Sequence, residues 1–233
     1  MTLSLDRQNA YRARYRALQQ GWQPATEIYE SLIRQRLQPP SRVLDLGCGR
    51  GGVLEQLGEA VTFPVGFDPD LQSLREHRLR GLPRACALAD SLPLRESSVD
   101  MVVCSWVLEH LPAPAKVFAE VRRVLRPGGA FIFLTPNANS LVVLLNRVLR
   151  PLQHTLVPRL YGRAEADTFP VMYRANTPTQ IMALAHNAGL RCDLIRLIED
   201  PSYLAFNPLL FRVSLILARV TPPVHLAGVL TVG

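Results

Sequence analysis

Apolar residues gather in short runs rich in valine, leucine and phenylalanine, at 42 to 46 (RVLDL), 61 to 67 (VTFPVGF), 84 to 88 (RACAL), 99 to 105 (VDMVVCS) and 130 to 134 (AFIFL). Between them the spacing turns helical. Within 111 to 129, Val117, Phe118, Val121, Val124 and Leu125 fall on one helix face, and Pro127, Gly128 and Gly129 end the helix before the next run. Asp70 is placed to cap a helix over 71 to 79. Apolar strands alternating with helices predict right-handed crossovers and a parallel sheet covered on both faces, an α/β, doubly wound core.

After the fifth strand the rhythm changes. Residues 141 to 150 (LVVLLNRVLR) read as a helix capped by Asn139 or Ser140, followed by a proline-interrupted stretch bearing Tyr161, Phe169, Met172 and Tyr173. Residues 136 to 175 are expected to form a cap insertion over the sheet's carboxyl edge. A helix ending at Gly189, a strand over 190 to 198, a helix near 208 to 220 and an apolar run over 224 to 232 can supply two further strands. A helix is predicted over 25 to 37, behind a segment carrying Tyr11, Arg14, Tyr15 and Trp22. The expectation is one domain over 1–233, with 1–38 as a helical cover.

Composition narrows the class. Hydrophobic residues make up 48% and charged residues 19% of the 233, which excludes a disordered or collagen-like chain. The net charge of +7 points to an acidic partner. Lys116 is the sole lysine, however, and the arginines are scattered from Arg7 to Arg219, which reads as a solvated surface rather than a nucleic-acid footprint. Cysteines 48, 86, 104 and 192 form no C-x-x-C pair, so neither a zinc site nor a disulfide framework is indicated. With no visible export signal and no run of about 20 apolar residues, a cytoplasmic chain is expected.

The chemistry concentrates at the strand ends. In VLDLGCGRGG (43 to 52), Gly47, Gly49 and Gly52 satisfy G-x-G-x-x-G, a pattern for close backbone approach to a ligand beside a helix N-terminus that tight turns and dinucleotide sites share. Asp45 precedes the first glycine, where a carboxylate suits an ammonium better than a pyrophosphate. Asp68 ends the second strand, where a carboxylate can accept both hydroxyls of a ribose. Asp90 follows the third strand and Ser105 ends the fourth. All converge on the carboxyl edge of the sheet, the usual ligand crevice of open α/β folds.

VLDLGCGRGG, GFDPD (66 to 70), ALADSLPLRESSVDMVVCSWVLEHL (87 to 111) and VRRVLRPGGAFIFLTPN (121 to 137) together resemble the class I S-adenosylmethionine-dependent methyltransferases, in particular the type 11 methyltransferase-domain group. The resemblance implies a Rossmann-like sheet of seven strands, mostly parallel with the last antiparallel. It also implies S-adenosylmethionine as cofactor and S-adenosylhomocysteine as product. By the same resemblance Asp45 lies near the methionine amino group, Gly47 and Gly49 line the methionine moiety, and Asp68 holds the ribose. Pro69 then packs on adenine, Asp90, Ser91 and Leu92 surround the adenine amino edge, and Ser105 lies beneath the sulfonium. Arg14 is open between pairing with the cofactor carboxylate and simple packing of its helix.

A sulfonium is already a good leaving group, so the protein must chiefly hold the acceptor in line and exclude water. For an oxygen acceptor His110 is the nearest titratable candidate base, the alternative being that it orients Glu109 or its loop. Trp106 replaces the first acid of the E-x-x-E-H metal pattern found in some relatives, so no metal is expected. The absence of N/D-P-P-Y argues against nucleobase acceptors, and Cys104 reads as packing rather than a nucleophile. The expected partner is a small-molecule or lipid- or glycan-linked acceptor, with Arg174 available to an anionic group. Residues 141 to 150 are amphipathic and suit either docking on the domain or peripheral contact with a membrane. A nicotinamide-dependent oxidoreductase and a non-catalytic cofactor-binding scaffold are the competing readings.

Overall fold

The structure, a computed structural model, describes residues 3–148 and 170–233. They divide into two compact units. One draws on the described residues 3–25, 136–148, 170 and 197–225, the other on 26–135, 171–196 and 226–233. The second carries the sheet, in the order β3-β2-β1-β4-β5-β7-β6, with six strands parallel and the last antiparallel, as the resemblance implies. The strands are β1 (Arg42–Leu46), β2 (Phe63–Asp68), β3 (Arg84–Cys86), β4 (Val99–Ser105), β5 (Leu125–Pro136), β6 (Leu190–Ile198) and β7 (His225–Val232).

The helices are α1 (Leu5–Leu18), α2 (Ala25–Arg36), α3 (Val53–Leu57), α4 (Leu71–Arg75), α5 (Pro114–Val124), α6 (Leu141–Val148), α7 (Pro178–Asn187) and α8 (Pro208–Val220). Side-chain caps start several of them: Asp70 accepts from the amides of Gln72 and Ser73, Thr177 from Gln180 and Asn207 from Leu210. α4 is shorter than the predicted 71 to 79. The Arg84 guanidinium takes the carbonyls of Leu74, Leu79 and Leu82, turning the chain toward β3. β5 begins earlier than expected, because Leu125 already pairs with Val99 before an irregularity in register.

The core of the sheet unit is built from β1, β4, β5 and the inner face of α5, where Phe118 meets Phe131 edge to face at 5.7 Å. In the other unit Tyr11 stacks on Phe211 at 4.7 Å and Tyr15 meets Trp22 at 5.0 Å. Arg14 lies over the Phe211 ring at 5.6 Å, so α1 is fastened by packing. Leu18, at helical spacing from Tyr11 and Tyr15, is exposed. Of the expected cap, Arg150, Tyr161 and Phe169 lie outside the described residues. Arg174 donates through one guanidinium nitrogen to the Pro112 carbonyl at 2.6 Å.

Candidate active site

Register brings the strand ends together. Asp45 on β1 lies opposite Gly66 of β2 on one side and Val103 of β4 on the other, and Asp68 opposite Cys86 of β3. The residues following each strand therefore share one edge, at the point where strand order reverses about β1 and β4. The glycine turn is fixed there by its amides. Gly47 and Cys48 both donate to the Phe67 carbonyl, at 2.7 and 3.2 Å, and Gly49 donates to Asp68 Oδ2 at 2.9 Å.

Gly47 and Gly49 adopt φ of +79° and +49°, in the left-handed region that favours glycine. A Cβ on Gly47 would also clash with Val107 Cγ2. Gly52, the third glycine of the sequence pattern, is extended and needs no such freedom. The Asp68 carboxylate is held twice, since its Oδ1 accepts from the Asp70 amide at 2.8 Å. Pro69 is exposed beside it, and its carbonyl accepts from the Cys86 thiol at 3.3 Å.

Asp45 is buried and its Oδ2 has no hydrogen-bond partner. Burial, followed by the charges of Asp68 and Glu55, pushes its carboxyl up to about 7. The Tyr29 hydroxyl on α2 is also buried without a partner, close to Asp45, Cys104 and Ser105. Two orphaned polar atoms beside a glycine turn fit an incoming group that is both cationic and hydrogen-bonding. Tyr29 was invisible in the sequence because it belongs to the buried face formed with Ile28, Leu32 and Ile33.

The loop after β3 carries Asp90 and Ser91, with Leu92 buried beneath. Leu92 is clamped to α5: its amide donates to Glu120 Oε2 at 2.9 Å and its carbonyl accepts from Arg123 at 3.1 Å. Sequence reading missed this clamp.

Past β4, Trp106 turns the chain at φ +61° and donates its amide to the Leu134 carbonyl at 2.9 Å. His110 follows in a 3₁₀ turn, part-exposed, with Nε2 3.9 Å from Glu109 Oε1, beyond hydrogen-bonding distance. Glu109 is anchored elsewhere. Asn176 donates to Thr135 Oγ1 at 2.6 Å, and Thr135 to Glu109 Oε2 at 3.0 Å. Burial pushes the Glu109 carboxyl up. Cys104 is fully buried and its thiol is likewise pushed up, which suits packing.

Residues 44–133 match the family model described as a methyltransferase domain. The chain is 30% identical over 181 residues to a ubiquinone biosynthesis O-methyltransferase of Ralstonia nicotianae, covering 75% of this chain and 70% of that one. It is 36% identical over 129 residues to an uncharacterized 37.1 kDa protein in transposon TN4556 of Streptomyces fradiae, 51% of this chain but only 37% of that protein's length. The fold matches that of geranyl diphosphate C-methyltransferase from Streptomyces coelicolor A3(2) with a TM-score of 0.63 at 12% identity, over 88% of this chain and 80% of that one. With its sheet order, its glycine turn and these relatives, the chain belongs to the class I S-adenosylmethionine-dependent methyltransferases.

Proposed function

We propose that the enzyme methylates an oxygen of a small, lipid-linked acceptor, and that Asp45, Gly47, Gly49, Asp68, Pro69, Asp90, Ser91, Leu92 and Ser105 form its cofactor site. The observation that carries the site is the buried, unpartnered Asp45 carboxylate beside the fixed Asp68 carboxylate. The cofactor supplies an electrophilic methyl on a sulfonium. The protein's part is binding and orientation. Asp45 receives the amino group, and ionises fully when that cation arrives. Asp68 retains lone pairs for the ribose hydroxyls beyond those used by Gly49 and Asp70. Pro69 and Leu92 flank the adenine, with Asp90 and Ser91 at its amino edge. Tyr29 and Ser105 offer hydroxyls beneath the reacting sulfur.

His110 is the residue we put forward to take the acceptor's proton, being titratable and part-exposed in the 3₁₀ turn that follows β4. The oxygen acceptor is supported by the relative named an O-methyltransferase of ubiquinone biosynthesis. Calorimetry with S-adenosylhomocysteine and with NADH tests the site. The reading requires binding of the first alone, and loss of it when Asp45 and Asp68 are both changed to asparagine. A methylated product from a lipid extract tests the acceptor. Loss of turnover at neutral pH in His110→Gln, with cofactor affinity kept, tests the base.

A further inference from the structure

α8 has its wet side apolar. Phe211 and Ser214 are buried, which fixes the inner face of the helix. At about 100° per residue, Leu209, Val213, Ile216 and Val220 fall within an arc of about 60° on the opposite side. All four are exposed: 69%, 41%, 64% and 75% respectively. A helix docked on a domain ordinarily turns polar residues outward, and a contiguous outward apolar stripe marks a contact surface.

The flanking charge identifies the partner. Arg212 and Arg219 are exposed along one border of the stripe. No acid occurs anywhere from 201 to 233. α6 repeats the pattern, with Leu144, Leu145 and Val148 exposed beside Arg147 and no acid between 136 and 164. The two helices are neighbours, because Leu141 and Val142 of α6 and Ser214, Leu217 and Ala218 of α8 line one small cavity. An apolar stripe bordered by arginines and free of acids complements an anionic lipid surface. At 13 residues α8 is about 20 Å long, too short to cross a bilayer, and among the described residues no helix is long and apolar enough to do so.

We propose that the outer face of α8, extended by α6, lies in the interface of an anionic membrane, with the stripe inserted and Arg212 and Arg219 at the headgroups. This deepens the lipid-linked acceptor reading but needs no methyl transfer, so the two fail separately.

The test is flotation of the full chain with vesicles of phosphatidylcholine alone or with added phosphatidylglycerol, at low and high salt. Retention is expected on the anionic vesicles, falling with salt. The double variant Leu209→Glu, Ile216→Glu should lose about tenfold or more of that partitioning. Both positions are exposed and glutamate is a good helix former, so S-adenosylhomocysteine affinity should be unchanged. Arg212→Gln with Arg219→Gln should remove the preference for anionic lipid. Absence of retention at low salt overturns the proposal, as does retention that neither double variant changes. So does a dimer, seen by sedimentation without vesicle binding, that the glutamate variant dissociates, since a second copy would then cover the face.

Discussion

Glu120 and Arg123, one turn apart on α5, meet through both carboxylate oxygens at 2.7 Å while gripping Leu92 from both sides of its peptide unit. Arg123 also donates to the Leu94 carbonyl at 2.8 Å. A pair that on an exposed helix contributes little is here part of a backbone clamp, which holds the loop bearing Asp90 and Ser91. Arg123→Ala is therefore expected to raise KM for S-adenosylmethionine about five- to tenfold, with kcat changed less, for a loss of about 1 kcal/mol in binding. Steady-state kinetics at saturating acceptor would show it; an unchanged KM would mean the loop holds its shape unaided.

Gly47→Ala meets two obstacles, the +79° φ and the Val107 side chain. A stability loss of roughly 2–4 kcal/mol is expected, combining left-handed strain with the clash. Adding Val107→Ala should restore only part of it, because the backbone strain remains. Thermal denaturation of the single and double variants measures both components.

Asp45 links pH to affinity and to stability in opposite senses. Its folded pKa, about 7 against an ordinary 3.8, means that ionising it in the ligand-free protein destabilises the fold. That penalty is absent below about pH 4, grows between 4 and 7, and is complete above 7. Asp45→Asn should thus stabilise the ligand-free protein at pH 8, by on the order of 1–3 kcal/mol, and hardly at pH 4. Affinity for S-adenosylhomocysteine should fall as pH drops below about 7 in the wild type, where protonated Asp45 must give up its proton to meet the amino group. The asparagine variant should bind weakly and lack this pH dependence. Melting curves and calorimetry between pH 5 and 8.5 test both.

Tyr29→Phe separates a ligand role from a structural one. The hydroxyl has no partner, so its removal should leave ligand-free stability within about 0.5 kcal/mol or raise it. Cofactor affinity should fall about three- to tenfold if the hydroxyl is satisfied on binding. A destabilised variant with unchanged affinity would assign Tyr29 to packing alone.

Thr135→Val breaks the relay from Asn176 to Glu109 and leaves two buried polar groups without their partner. A loss of about 2–4 kcal/mol is expected, and Thr135→Ser should recover most of it. Chemical denaturation of the two variants distinguishes hydrogen bonding from methyl packing.

β1, β4 and β5 were readable because a parallel sheet buried on both faces demands continuous apolar runs. β6 spans the predicted residues 190 to 198 although it is an edge strand, mostly exposed and interrupted by Arg191, Asp193 and Arg196. β3 stops at Cys86, short of the expected 88, since its one neighbour β2 ends at Asp68, the residue opposite Cys86. The placement of Asp45 and Asp68 on one edge of the sheet was legible because topology brings the ends of parallel strands together. Tyr29 and the Glu120–Arg123 clamp were not, because each shares its spacing with ordinary residues: a core tyrosine in one case, a surface ion pair in the other. What distinguishes them is the partner reached, or missing, across the fold. The outward apolar stripe of α8 could be read as a hydrophobic helix, but which side faced the solvent required Phe211 and Ser214 to be placed first.

Asp68 binds two amides from separate stretches of chain, Gly49 after β1 and Asp70 after β2. The two turns are thus a single structural module. Grafting the glycine segment alone onto another α/β scaffold would leave its Gly49 amide without an anchor, and lengthening the carboxylate by one methylene would push both turns out of alignment. A designer borrowing this crevice must carry residues 45–52 and 66–70 together.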